Sequence, residues 1–181
     1  MEKNRGRKGQ MFSAELVVAS SLFIVAIVLF VLMWNGMRAS YVAEEADYEM
    51  QSTLVSVSDT LVLSPGEPSG WEGAELENAS QFGLAESQNS LVAGKLSALQ
   101  ALNATQYYKV KEGMGAGKFD VYISLSNSTG TLLGDYPLYA FGIAPNASDP
   151  SIRAASLQRL ASLNGTPVTL TVQLWRTARG S

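Results

Sequence analysis

The chain has 181 residues and a formal net charge of −3, from thirteen lysines and arginines against sixteen acids. It contains no cysteine and no histidine. Their absence excludes disulfide bonds, zinc sites built on these residues, and Cys-His or Ser-His-Asp catalysis. A mildly acidic chain with scattered basic residues does not suit nucleic acid, so no nucleic-acid partner is expected. The glycine-rich stretch "GMGAG" at 113–117 precedes a strand-like run rather than a helix, so no phosphate-binding cofactor site is predicted.

A long apolar run dominates the N-terminal part of the chain. Leu16–Trp34 contains no ionisable residue, and a helix of this length just crosses a hydrocarbon core of about 30 Å. The positive-inside rule predicts a cytoplasmic N-terminus and places the chain after Trp34 outside the cell. That rule rests on the four basic residues that precede the run, which are Lys3, Arg5, Arg7 and Lys8.

Two ordinary interpretations of this run are a secretory signal and a signal anchor. A cleaved secretory signal would have a shorter apolar core and would end at a small-residue site, which the sequence lacks. A plain anchor accounts for the length and the charge, and Glu15, one turn from the membrane surface, could reach water by snorkelling. The anchor does not account for the "KGQ" that precedes the run, so a third interpretation stands beside it.

The residues just before the run resemble a known processing signal. A short basic leader ends in Lys8-Gly9, Gln10 follows, and an "SAE" step at 13–15 leads into the apolar helix. This pattern over residues 1–35 resembles the class III signal peptide of archaeal type IV pilin-like proteins. The resemblance implies that a prepilin peptidase cuts after Gly9 on the cytoplasmic side, removing only the leader. It also implies a filament in which copies of the chain pack through their N-terminal helices.

The same resemblance gives Glu15 a role in assembly. If the cut follows Gly9, Glu15 is the sixth mature residue, whereas the usual pilin glutamate is the fifth. The cut leaves nine basic residues against fifteen acids, a net charge of −6, and it frees an α-amine at Gln10. A carboxylate in a lipid or filament core is tolerated only when it is paired. The new amine of one subunit is therefore expected to neutralise Glu15 of a neighbour.

The helix is expected to continue beyond the membrane. No glycine or proline occurs between Met37 and Ser64, and the "SPG" at 64–66 then stops it. Four apolar residues recur at spacings of four, three and four, which predicts a stripe that packs against the head. These residues are Met50, Leu54, Val57 and Leu61.

The C-terminal part of the chain is predicted to form a sheet. "KFDVYISLS" at 118–126 and "TPVTLTVQLW" at 166–175 alternate apolar and polar residues, and "YPLYAFGIA" at 136–144 is a further candidate strand. Asn164-Gly165 favours a type I′ turn between the last strand and "RAASLQRLASL" at 153–163. Two short helices are predicted before the sheet, at 90–102 and 105–114. Three or four antiparallel strands packed on a long helix give an α+β fold, in the chain order of a pilin.

Asparagines of the predicted head fit the N-glycosylation pattern unusually often. Five of the six asparagines after residue 64 fit it, whereas Asn4 and Asn35 do not. Loops rich in serine and threonine also collect such sites by chance. Glycans on turns would shield a surface protein without disturbing its core. The candidate acceptors are Asn78, Asn103, Asn127, Asn146 and Asn164.

These patterns predict three segments: a cleaved leader at 1–9, a long helix at 10–64 that contains the membrane segment 16–34, and an extracytoplasmic head at 65–181. The predicted function is a pilin or pseudopilin, made as a membrane precursor and found in an extracellular filament when mature. The expected partners are prepilin peptidase, the membrane, and copies of the chain or other pilins through the N-terminal helix. No catalytic residue, metal or cofactor is assigned.

Two alternatives remain open at this point. The first is a single-pass surface protein that keeps its membrane anchor and whose head binds a partner or ligand. The second is an exported enzyme that uses an acid pair such as Asp120 and Asp135, although carboxylates on polar loops are usually only solvated.

Overall fold

The computed structural model of the protein describes residues 5–127 and 140–177, with the backbone alone at 5–13, 39–40, 42–43 and 76. The chain divides into two compact units, Met1–Asp47 and Tyr48–Ser181. The first part of the strand predicted at 136–144 lies outside the described residues, as does Asp135.

The first unit contains the N-terminal part of helix α1, which spans Arg5–Leu63. Within it, Ala14–Arg38 has a mean hydropathy of 3.0, and none of this stretch is buried in the protein. It is long and apolar enough to cross a membrane. Valine and isoleucine, which are frequent here, are mediocre helix formers in water. In lipid these residues also favour the helix, because a single segment can satisfy all its backbone polar groups there only as a helix.

The second unit is an α+β domain, which confirms the predicted class. Two 3-10 turns follow α1, at Trp71–Gly73 and Leu76–Asn78. The helices α2 (Ala93–Leu102) and α3 (Tyr107–Gly113) confirm the two short helices that the sequence predicts. The described strands are β1 (Ala85–Ser87), β2 (Ser90–Leu91), β3 (Asp120–Asn127), β4 (Ala140–Gly142), β5 (Ile152–Leu163) and β6 (Thr166–Thr177).

The sheet differs from the predicted one in size and in direction. Its described strands lie in the order β1-β2-β5-β6-β3-β4, and the β2–β5 pair is parallel while the other pairs are antiparallel. The prediction of three or four purely antiparallel strands is therefore wrong, because the described sheet is mixed and six-stranded. The strands that the prediction missed, β1 and β2, have only three and two residues. Strands this short show no alternation that could reveal them.

The predicted stripe of α1 lies in the core of the second unit. Met50, Leu54, Val57 and Leu61 are each at most 4% exposed and belong to one apolar cluster with the inner face of the sheet. That face is formed by alternate residues of the strands, as the sequence pattern predicts. Its members on β3 and β6 are Val121, Ile123, Leu125, Val168, Leu170, Val172 and Leu174.

The β5–β6 hairpin confirms the predicted turn. Asn164 has φ of 52° and Gly165 has φ of 80°, the two positive values that a type I′ turn requires. The pairing continues without a shift from Leu163–Thr166 to Ile152–Thr177. This hairpin fixes the register of the longest strands in the described sheet.

Polar contacts attach the C-terminal part of α1 to the sheet and to α2. The guanidinium of Arg159 on β5 pairs with Asp59, and its Nε donates to Ser58 Oγ at 3.2 Å. Lys95 of α2 donates to the Pro65 carbonyl oxygen at 2.5 Å, just beyond the end of α1. A cation there complements the carbonyl groups at a helix C-terminus. Burial lowers the pKa of the Lys95 ammonium from its ordinary value.

Candidate functional site

Large apolar side chains cover α1 on every side between Leu16 and Trp34. Their exposed fractions run from 46% at Ile27 to 67% at Phe23. Soluble proteins rarely expose a continuous apolar surface of this extent, and such surfaces mark contact with lipid or with another protein. This stretch is therefore the candidate functional surface of the first unit.

The few polar groups of this stretch suit an apolar surrounding. Ser21 donates its hydroxyl to the Val17 carbonyl oxygen at 2.8 Å, so it places no unpaired donor in lipid. At the C-terminal end, Trp34 stacks on Phe30 with 6.1 Å between ring centroids. Tryptophan at this place is typical of the membrane interface. The stretch is thus compatible with a hydrocarbon core along its length.

The predicted processing residues lie on α1 before this surface. The backbone of Lys8, Gly9 and Gln10 is helical. Glu15 is exposed at the N-terminal end of the apolar stretch. No contact of the described residues tests cleavage after Gly9 or the pairing of Glu15, so both stay predictions.

The candidate glycosylation sites occupy two kinds of position in the second unit. Asn78, Asn146 and Asn164 are exposed on turns or loops, where a glycan can project into solvent. Asn127 at the end of β3 is half-buried, and the rest of its acceptor motif, residues 128–129, lies outside the described residues.

Asn103 has a structural contact as well as an acceptor motif. It follows α2, is half-buried, and its Oδ1 accepts a hydrogen bond from the Gly142 N–H at 2.9 Å. This bond ties the end of α2 to β4. Among the five candidates, the exposed Asn78, Asn146 and Asn164 are therefore the more accessible acceptors.

Asp120, one half of the suggested acid pair, is held by α3. Its Oδ1 accepts a hydrogen bond from the Tyr107 hydroxyl at 3.1 Å and lies 3.5 Å from Lys111 Nζ. The Tyr107 oxygen also accepts the Val121 N–H at 3.0 Å. These contacts give Asp120 a structural use in joining α3 to β3. Among the described residues, no group of three or more acids could hold a metal ion.

We expect Tyr107→Phe to destabilise the protein by about 1–3 kcal/mol at neutral pH, because the buried Val121 N–H loses its acceptor. Burial is the main cause that raises the pKa of Tyr107 to about 12. Because the folded pKa exceeds the ordinary value of 10, Tyr107 stabilises the fold below pH 10 and loses this contribution as the pH rises towards 12.

Denaturant unfolding of the full chain in detergent, followed from pH 8 to 12, measures both effects. Tyr107→Phe should lower stability at pH 8 and flatten its decline above pH 10. Tyr108→Phe is the matched control, because Tyr108 is adjacent on α3 and 71% exposed. Equal behaviour of the two variants would contradict the assignment.

No protein-family model, curated protein or solved structure matches this chain. The fold and the apolar surface together define a class: an α+β domain whose chain also carries an N-terminal helix long and apolar enough to span a membrane.

Proposed function

We propose that the protein is a structural subunit of an archaeal type IV-like surface filament, a pilin or pseudopilin. One observation supports this most. The helix α1 provides an exposed apolar stretch at Ala14–Arg38 and also, through Met50–Leu61, the buried stripe of the α+β domain. A subunit whose helix lies in lipid before assembly and packs against other helices afterwards needs both features.

The leader would control the change from precursor to subunit. Its four basic residues hold the precursor in the membrane with the N-terminus in the cytoplasm. Cleavage after Gly9 removes this charge and leaves a mature chain that starts at Gln10. A glycine before the cut keeps the backbone open to the catalytic acids of the peptidase. The apolar surface can then exchange lipid for neighbouring helices without entering water.

Glu15 gives assembly a second requirement. A carboxylate near the end of the membrane segment reaches the interface while the precursor is in lipid. Inside a bundle of helices it would be desolvated, and the free amine at Gln10 of a neighbour would supply the opposite charge. Pairing of this kind would fix how far one subunit is displaced along the next.

One observation favours an alternative, a single-pass surface protein that stays in the membrane. Trp34 stacks on Phe30 and is followed by Arg38, and an aromatic and a basic residue at the end of an apolar helix are typical of a membrane–water interface. The two functions differ in the fate of the leader, since an anchored protein keeps Lys8 and Gly9.

Processing tests the proposal. Expressed with a prepilin peptidase, the chain should lose residues 1–9, and Gly9→Val should remain uncut because its branched side chain blocks the backbone. Gly36→Val is the matched control: Gly36 lies on the same helix, and a Cβ there meets nothing within 4 Å. Electrophoresis and N-terminal sequencing report the outcome. An uncut wild-type chain, or equal cleavage of both variants, would contradict the proposal.

A further inference from the structure

A groove lies on the outer face of the sheet, the face turned away from the apolar core. The segment 143–151 joins β4 to β5, and because β3 and β6 lie between these strands in the sheet, it must pass both of them. It contacts the outer face, since the Trp175 indole donates to the Ile143 carbonyl oxygen at 2.7 Å and Trp175 alternates with the buried Leu174. The groove between this segment and the sheet has a volume of about 560 Å³.

The groove combines small apolar side chains with a few polar groups. On the sheet it is lined by Ala154, Ser156 and Gln173, and Ser156 lies opposite Gln173 in the β5–β6 register. The segment 143–151 supplies Ala144, Pro145, Asn146, Ala147 and Asp149. Sites for small molecules typically enclose about 300–1,000 Å³ and have this kind of mixed lining. The groove therefore has the size and the chemistry of a ligand site.

One lining residue is also a candidate glycan acceptor. Asn146 is exposed and begins the acceptor motif that ends at Ser148. Its Oδ1 accepts a hydrogen bond from the Ser148 N–H at 3.1 Å. This bond uses the amide oxygen and leaves the amide nitrogen, the atom that carries an N-linked glycan, outside the turn. A glycan on Asn146 therefore begins at the wall of the groove.

We propose that the groove binds the first sugars of a glycan carried by Asn146. Sugar hydroxyls both donate and accept hydrogen bonds. The Ser156 hydroxyl and the Gln173 carboxamide do the same, and the Asp149 carboxylate adds acceptors. The methyl groups of Ala147 and Ala154 suit the C–H faces of sugar rings.

The covalent link makes the chain's own glycan the occupant. Sugars free in solution bind weakly to an open groove of this kind. A sugar attached at Asn146 has an effective concentration in the millimolar range or above, so a weak contact is sufficient to hold it. The sheet residues that line the groove are uncharged, which favours a neutral occupant over a charged one.

The groove distinguishes Asn146 from the other two exposed acceptors. Asn164 lies in the β5–β6 turn, at the opposite end of β5 from the groove. Asn78 ends a 3-10 turn that follows α1. Neither residue lines the groove, so binding of this kind is expected for the glycan on Asn146 and not for glycans on the other two.

The inference rests on glycosylation of Asn146 and not on the proposed filament function. A permanently anchored surface protein would carry the same glycan on the same loop. Failure of the leader cleavage and failure of the groove to bind sugar are therefore separate results.

Thiol labelling of the full chain, purified in detergent from its native cells, tests this binding, and the natural sequence has no cysteine to interfere. Ser156→Cys places a thiol in the groove. Adding Ser148→Ala removes the acceptor hydroxyl but keeps Asn146 and its bond to the main chain. A groove occupied for about nine tenths of the time reacts with a bulky maleimide about tenfold more slowly than an empty one. Adding Ser148→Ala should therefore speed labelling about tenfold, whereas adding Ser148→Thr, which keeps the acceptor motif, should not.

A second cysteine separates binding in the groove from general shielding by the glycan. Leu160 lies on the same strand and side as Ser156, beyond the groove, and is 73% exposed. Labelling of Leu160→Cys should be equally fast with and without Ser148→Ala. In the glycosylated chain, adding Gln173→Ala to Ser156→Cys should speed labelling severalfold, because the sugars lose a polar partner.

The mass of the peptide that contains Asn146 reports whether the glycan is present. Should Ser156→Cys fail to accumulate, Ala154→Cys tests the same groove at another exposed position. An unmodified Asn146, equal labelling of the groove cysteine with and without Ser148→Ala, or equal protection of Leu160→Cys would overturn the proposal.

Discussion

Replacing Glu15 with glutamine is expected to impair filament assembly strongly while leaving membrane insertion and cleavage intact. Insertion should improve slightly, because the change removes a charge that disfavours the bilayer. Assembly should be weakened because the Gln10 amine loses its ionic partner in a low-dielectric core. Removing one member of a buried pair costs about 3–5 kcal/mol, which corresponds to a loss of about a hundredfold or more in association.

Electron microscopy of surface filaments measures assembly. The amount of cleaved subunit is measured in parallel. Glu44→Gln is the matched control, since Glu44 is an exposed acid of α1 beyond the apolar stretch. It should assemble normally. Normal filaments from Glu15→Gln would contradict the pairing but not the cleavage after Gly9.

Replacing Leu61 with alanine is expected to lower the free energy of unfolding of the head by about 2–5 kcal/mol. Leu61 is fully buried in the cluster that joins α1 to the sheet. A loss of this size is a large part of the roughly 5–15 kcal/mol that stabilises a typical domain. The effect would show that the C-terminal part of α1 belongs to the head core.

Denaturant unfolding of the full chain in detergent, followed by tryptophan fluorescence, measures this loss, since Trp71 is buried in the same cluster. Leu63→Ala removes the same atoms two residues later on α1, where the side chain is 46% exposed. The control should change stability by no more than about 0.5 kcal/mol. Equal losses would contradict the burial pattern.

Features governed by local spacing could be predicted from the sequence. The stripe from Met50 to Leu61, the two short helices and the Asn164-Gly165 turn each follow from neighbours in the chain, and the structure confirms them. The predicted membrane segment Leu16–Trp34 was equally clear, because composition alone reveals it, and it lies within the apolar stretch Ala14–Arg38 of α1.

Features that depend on distant contacts could not be predicted. The contact of Arg159 with Asp59 joins residues a hundred positions apart, and an arginine in an alternating strand does not reveal its partner. The parallel β2–β5 pair rests on two residues, too few for any periodic pattern.

The intact mass of the protein purified from its native cells tests the central claim most directly. The account predicts a mature chain that begins at Gln10 and lacks the mass of residues 1–9, apart from mass added by modification of Gln10 or by glycans. Enzymatic removal of the glycans before the measurement separates these contributions. A mature protein that retains Lys8 and Gly9 would contradict the filament function and would favour the permanently anchored surface protein.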